Sequence, residues 1–193
     1  MDKDISLLKT LFDKASNLYL NNKYVESLNL ISNTSEMWID YSQKYKFLSL
    51  IGMNYYKLEN YTRAERPFLE SLAIKPDNIK VLDLLGNIYF IQGRYIESEK
   101  VFLLAMRNDF CNYNFSIKTA KSAWKSGNLL RMVKRLKEGY IPEFIGKKEE
   151  KNLKLFLLDF LQNSNIPEAY NLIKNFRKWC YEQKKKYKKS RVC

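Results

Sequence analysis

Ile51-Gly52-Met53-Asn54-Tyr55-Tyr56 and Leu85-Gly86-Asn87-Ile88-Tyr89-Phe90 lie 34 residues apart and match in kind at four of six places: an apolar residue, a glycine and, after one apolar and one polar residue in either order, two aromatic residues. The echo continues in register through Tyr61 and Tyr95, Ala64 and Ser98, Phe68 and Phe102, and Ser71 and Ala105. Apolar residues recur at spacings of three and four, and only 6 Gly and 4 Pro interrupt the chain, so the sequence reads as helical nearly throughout and leaves little room for strands. A helix pair of this length cannot bury its own apolar stripe. A repeat of it therefore implies stacking, with one unit covering the next.

The pattern resembles the tetratricopeptide repeat, which has small residues at positions 8, 20 and 27 and large ones at 4, 7, 11, 17 and 24 of a helix-turn-helix unit. Numbered from Tyr45, one repeat places Leu48, Ile51, Gly52, Tyr55, Tyr61, Ala64, Phe68, Ser71 and Pro76 at the expected sites. Numbered from Ile79, the next gives Leu82, Leu85, Gly86, Tyr89, Tyr95, Ser98, Phe102 and Ala105, with Gly93 in the turn. Looser copies begin at Leu8, Tyr113 and Glu150, the poorest match being Ser116 at position 4 of the fourth repeat.

The resemblance implies an all-α fold, a right-handed superhelical solenoid of about five repeats near 8–44, 45–78, 79–112, 113–149 and 150–183. These would form one domain over 1–183, followed by a basic tail at 184–193. Starts at 8, 45, 79, 113 and 150 leave three extra residues in the first and fourth repeats, enough for a turn of helix or a longer loop. Pro67, inside a predicted helix, should kink it, while Pro167 should mark a helix start.

The 193 residues, 46% of them hydrophobic, suffice for a core. The absence of histidine removes the commonest general base and metal ligand. There is no phosphate-cradling glycine loop and no metal-ligand spacing. An enzyme is not expected, nor a cofactor, nor a small-molecule substrate. Cys111, Cys180 and Cys193 are too scattered for a disulfide framework and read as free thiols. The start, Met1 to Ser6, lacks the basic-then-apolar layout of a signal peptide, and a soluble cytoplasmic protein is the expectation.

The resemblance further implies that positions 2, 5, 9, 12 and 13 line a concave groove that holds a partner's peptide segment. Here the groove candidates are Tyr19, Lys46, Met53, Tyr56, Lys57, Lys80, Asp83, Asn87, Phe90, Lys121, Trp124 and Lys125. Position 12 is aromatic four times running (Tyr19, Tyr56, Phe90, Trp124), either as a ladder for apolar ligand side chains or as part of the core. Lysines dominate the rest, so a partner segment mixing acidic and apolar residues would suit. The carboxylate clamp of some relatives, with lysine at position 5, is not reproduced: that position holds Phe12, Ser49, Asp83, Ile117 and Lys154.

The net charge of +13 is uneven. Residues 1–96 carry 12 basic and 11 acidic side chains, and residues 97–193 carry 22 and 10. A basic patch is expected from Arg131, Lys134, Arg135, Lys137, Lys184, Lys185, Lys186, Lys188, Lys189 and Arg191. Function reads first as a non-catalytic protein-interaction module, an adaptor, scaffold or assembly chaperone. The alternative is contact with nucleic acid or an anionic membrane surface through the basic half.

Overall fold

The computed structural model describes residues 2–38 and 40–190, with side chains from Ile5 onward; Arg191 and Cys193 lie outside it. All regular elements among the described residues are helical. They are α1 (Asp2–Leu20), α2 (Tyr24–Asn33), α3 (Ser35–Trp38), α4 (Tyr45–Lys57), α5 (Tyr61–Ile74), α6 (Ile79–Ile91), α7 (Tyr95–Asn108), α8 (Tyr113–Lys125), α9 (Leu129–Glu138), α10 (Lys147–Asn163) and α11 (Ala169–Ser190), with a 3-10 turn at Pro142–Phe144.

The period is written into the backbone. Asn22, Glu59, Gly93 and Gly127, each at position 15, have φ of 62°, 57°, 76° and 81°, so the same left-handed residue follows the first helix in four repeats. Glycine is at home there, asparagine tolerable and glutamate strained. Caps recur as well. Asn60 and Asn128 at position 16 accept from the amides of Arg63 (3.2 Å) and Arg131 (2.8 Å). Asn78 and Asn112, which precede the first helices, accept from Val81 (3.3 Å) and Asn114 (3.2 Å).

The chain divides into two compact units, Met1–Gln92 and Gly93–Cys193, with the boundary inside the expected third repeat. In the first, α1 packs on α2, both meet α4, and α4 and α5 lie against α6. Gly52 shows why position 8 is small: a Cβ there would sit 2.5 Å from the Phe68 ring at position 24 of the same repeat. Ala15, Ser27, Ala64 and Ser71, at the other small positions, are fully buried. Their hydroxyls stay satisfied, Ser27 donating to the Ala15 carbonyl (2.9 Å) and Ser71 lying 2.8 Å from Ser49. The first three-residue expansion is α3. It seats Trp38 flat on Phe47 (5.1 Å, 9°), with the indole N–H donating to the Ile31 carbonyl at 3.0 Å.

In the second unit α8 packs on α7, α9 and α10, and its core joins Tyr113, Trp124, Met132, Leu136, Phe156, Phe160 and Phe176. Ser116, the weakest match to the repeat, has a partner of its own. Gly139 at position 27 lies so close that a Cβ would meet the Ser116 Cβ at 2.6 Å, and the Ser116 hydroxyl donates to the Arg135 carbonyl. Tyr113 fills the volume beside them and donates to the Leu136 carbonyl at 3.0 Å. The second expansion is the segment containing the 3-10 turn.

α5 runs through Pro67 without a break. Pro167 lies in the turn two residues ahead of α11 rather than in its first turn, and Asn165, two residues before it, takes a positive φ of 45°. The expected tail is helix as far as Ser190.

Gly52→Leu is expected to drive a branched side chain into Phe68 and cost roughly 2–4 kcal/mol, lowering the melting temperature by about 5–15 °C. Glu59→Gly relieves left-handed strain and should add up to ~1 kcal/mol. Thermal unfolding followed by circular dichroism checks both, and the opposite signs would break the repeat register.

Candidate interaction surfaces

The first helices of the repeats, α1, α4 and α6 in the first unit and α8 and α10 in the second, carry the expected groove positions. On the first unit Lys46, Lys57 and Lys80 are exposed, while Met53 is half-buried against the core. Tyr19 and Tyr56 are half-buried, each with its ring on a tyrosine at position 17 just past its own turn: Tyr19 on Tyr24 and Tyr56 on Tyr61, both at 5.6 Å. Burial, then the neighbouring tyrosine, raises both hydroxyl pKa values. The charge of Asp83 adds to the effect on Tyr56, so α4 and α6 bring these two candidates together. Asp83, Asn87 and Phe90 are half-buried on α6.

On the second unit the ladder ends. Trp124 is only 7% exposed and lies edge-on to Phe160 (5.3 Å) and Phe156 (6.2 Å) of α10. The expectation that it lines a groove is corrected: α10 covers it, and Lys125 lies over its ring at 4.3 Å. Beside it, α8 and α10 leave a cavity of about 380 Å³ lined by Ile117, Lys121, Asn152, Leu155, Phe156 and Asp159. Lys121 pairs with Asp159 at 3.5 Å, and Asn152 donates to Asn114 at 2.6 Å. Leu155 stands 55% exposed at this face.

Asn152, Leu155 and Asp159 fall outside the groove positions that the repeat implies. Their signal is there: α10 carries Leu155 and Leu158 beyond the Leu153, Phe156, Leu157 and Phe160 that its buried side needs.

The basic patch is also smaller than expected. Glu99 of α7, 5% exposed, takes Arg135 at 3.1 Å and Arg131 at 3.5 Å, tying α7 to α9. Burial opposes the Arg135 cation, but Glu138 at 2.8 Å and Glu99 outweigh it and raise its pKa. Lys134 reaches Glu138 at 3.8 Å, Lys137 lies over Trp179 at 5.3 Å, and Lys184 pairs with Glu150. Lys185, Lys186, Lys188 and Lys189 remain exposed on α11, and Arg191 falls outside the described residues.

Trp124→Ala should open a core void and cost ~3–5 kcal/mol, whereas Tyr56→Ala, at a half-buried turn, should cost less than ~2. Glu99→Gln removes the buried carboxylate that Arg131 and Arg135 share, leaving Arg135 with Glu138 alone, and should cost roughly 1–3 kcal/mol. Urea unfolding of the three variants checks the order.

No protein-family model matches the sequence, and no curated protein is similar to it. Solved structures are. MamA of strain MSR-1 is 16% identical with a TM-score of 0.61, over 95% of this chain and 99% of that one. MamA from residue 41 onward of Desulfovibrio magneticus RS-1 is 11% identical with a TM-score of 0.67, over 91% and 96%. A Podosopora anserina kinesin light chain with nearly identical TPR-like repeats is 12% identical with a TM-score of 0.63, over 89% and 94%. Identities this low carry the fold and nothing more, and with the period, the recurrent left-handed turn and the caps they settle it: the chain folds as tetratricopeptide-type helical hairpins.

Proposed function

We propose that the chain is a non-catalytic protein-interaction module, an adaptor or scaffold, that holds a partner segment on the exposed faces of its first helices. The observation that carries this reading is the α8/α10 cavity. An exposed leucine, Leu155, stands beside the apolar Ile117 and Phe156, and Lys121, Asp159 and Asn152 complete the lining. That combination suits an apolar anchor residue flanked by polar ones, the apolar-centre and polar-rim layout of a protein interface. Because Lys121 already has Asp159, the segment this face favours is apolar with mixed charge rather than strongly acidic. On the first unit, Tyr56 and Asp83 with Lys46, Lys57 and Lys80 offer a second, more basic stretch. Among the described residues no helix is long and apolar enough to cross a membrane.

Affinity capture from the native host, followed by titration of the captured partner, tests this reading. Leu155→Arg, a substitution at an exposed site, should leave the melting temperature within a few degrees and weaken the partner by about tenfold or more. Undiminished affinity would remove this face from the interaction.

A second reading rests on α11, whose span from Ala169 to Ser190 holds eight basic residues and one acid, Glu182. Such a helix could follow a polyanion. Binding of random oligonucleotides at ~50 mM salt should then fall steeply as salt rises and weaken in a Lys185→Glu/Lys189→Glu variant. No binding at low salt would end this reading.

A further inference from the structure

The last hairpin breaks the repeat's rule of small residues at helix crossings. Where the second repeat has Gly52, Ala64 and Ser71 at positions 8, 20 and 27, the fifth has Leu157, Ala169 and Phe176. Leu157 and Phe176 are each 3% exposed, so both side chains are turned inward between the helices. α10 and α11 accordingly meet over a short stretch only, unlike the closely packed α4 and α5. The space they leave is a cleft of about 410 Å³, walled by α10, α11 and the segment after α9.

Its chemistry is two-sided. Tyr140, Ile145, Leu153, Leu157 and Phe176 make an apolar wall, completed by the thiol of Cys180, which is hydrogen-bonded with Tyr140. Burial pushes the Cys180 thiol up to about 11, so the wall carries no charge at neutral pH. The rim holds three cations, Lys154, Arg177 and Lys184, against one carboxylate, Glu150, which already pairs with Lys184. Among the described residues Lys154 and Arg177 belong to no ion pair, and both are exposed.

We infer that this cleft binds an amphipathic monoanion, an acyl or aryl body bearing one carboxylate or similar acidic head, with the body on the Leu153, Leu157 and Phe176 wall and the head at Lys154 and Arg177. The volume is that of a small-molecule site, and its lining is mainly apolar with a few polar groups at the rim, as such sites are. An uncharged wall below unpaired cations selects for a negative head and against a positive one. The site is separate from the α8/α10 face, so its fate is independent of the protein-interaction reading.

The probe is sodium decanoate, titrated into the full chain by calorimetry, with decylamine and decanol as charge controls. Saturable 1:1 binding of decanoate is expected, at least tenfold tighter than either control. It should weaken at least tenfold in Lys154→Glu/Arg177→Glu, whose two substitutions lie at exposed sites and should leave the melting temperature unchanged. Trp179 provides an optical readout, because its ring lies 5.6 Å from that of Tyr140 in the cleft wall. Its fluorescence should shift with decanoate in a Trp38→Phe/Trp124→Phe background, where it is the one remaining tryptophan, and hold still in the charge-reversed variant. Absence of saturation at millimolar decanoate, equal binding of decylamine, or full affinity in the variant each overturns the inference. Saturation by an acidic, leucine-bearing peptide with no response to decanoate overturns it too, and gives the cleft to a protein segment.

Discussion

An aromatic ring occupying the place where a side chain would begin is the contact on which the hairpins depend. At Gly52 the ring of Phe68 leaves no room for even a Cβ, so the two helices approach until backbone meets side chain. Dispersion falls steeply with separation, and a fit this close is what lets two short helices, neither stable alone, hold together in water. The fourth repeat keeps the closeness and moves it: there the empty position is Gly139 and the small partner is Ser116, so position 27 does the work of position 8. The constraint is on the pair. What looks like a poor match at one site is compensated at the site it touches.

The same constraint, relaxed, explains the one hairpin that differs. With leucine and phenylalanine at its crossing positions the fifth repeat cannot close as the second does, and the bulk that keeps α10 from α11 also lines the space between them. A gap of that kind could collapse by repacking. Here it is held open by an aromatic chain from Tyr113 through Tyr140 to Trp179 and Phe176, with centroids 5.6, 5.6 and 6.1 Å apart. Stiff rings cannot fold into a void as a methionine would.

Most of the fold was legible in the sequence because the repeat constrains residues at fixed offsets: glycine in the turn, small residues at crossings, large ones between. The candidate site was less legible, for physical reasons. The aromatic ladder at position 12 is one line of sequence but two environments. Tyr19 and Tyr56 lie on tyrosines of their own turns, whereas Trp124 disappears under Phe156 and Phe160 of the next repeat. Arg131 and Arg135 read as a basic patch because their partner, Glu99, lies more than thirty residues earlier on another helix. Offsets within one helix are readable; pairings across three are not.

The surplus of charge can then be placed. Pairing with Glu99 and Glu138 removes much of α9 from the field and leaves α11, with only Lys184 paired to Glu150, as the concentrated source. Its C-terminal end suits cations because the helix dipole is negative there, yet Lys184 and Lys188, and Lys185 and Lys189, repel as i,i+4 neighbours. A helix in that condition gains from any anion that comes to rest against it. An uncharged surface where such an anion could also bury an apolar body lies in the cleft rimmed by Lys154 and Arg177. The loose last hairpin and the localised charge are therefore one feature: the crossing residues that open the space and the cations that surround it belong to the same two helices.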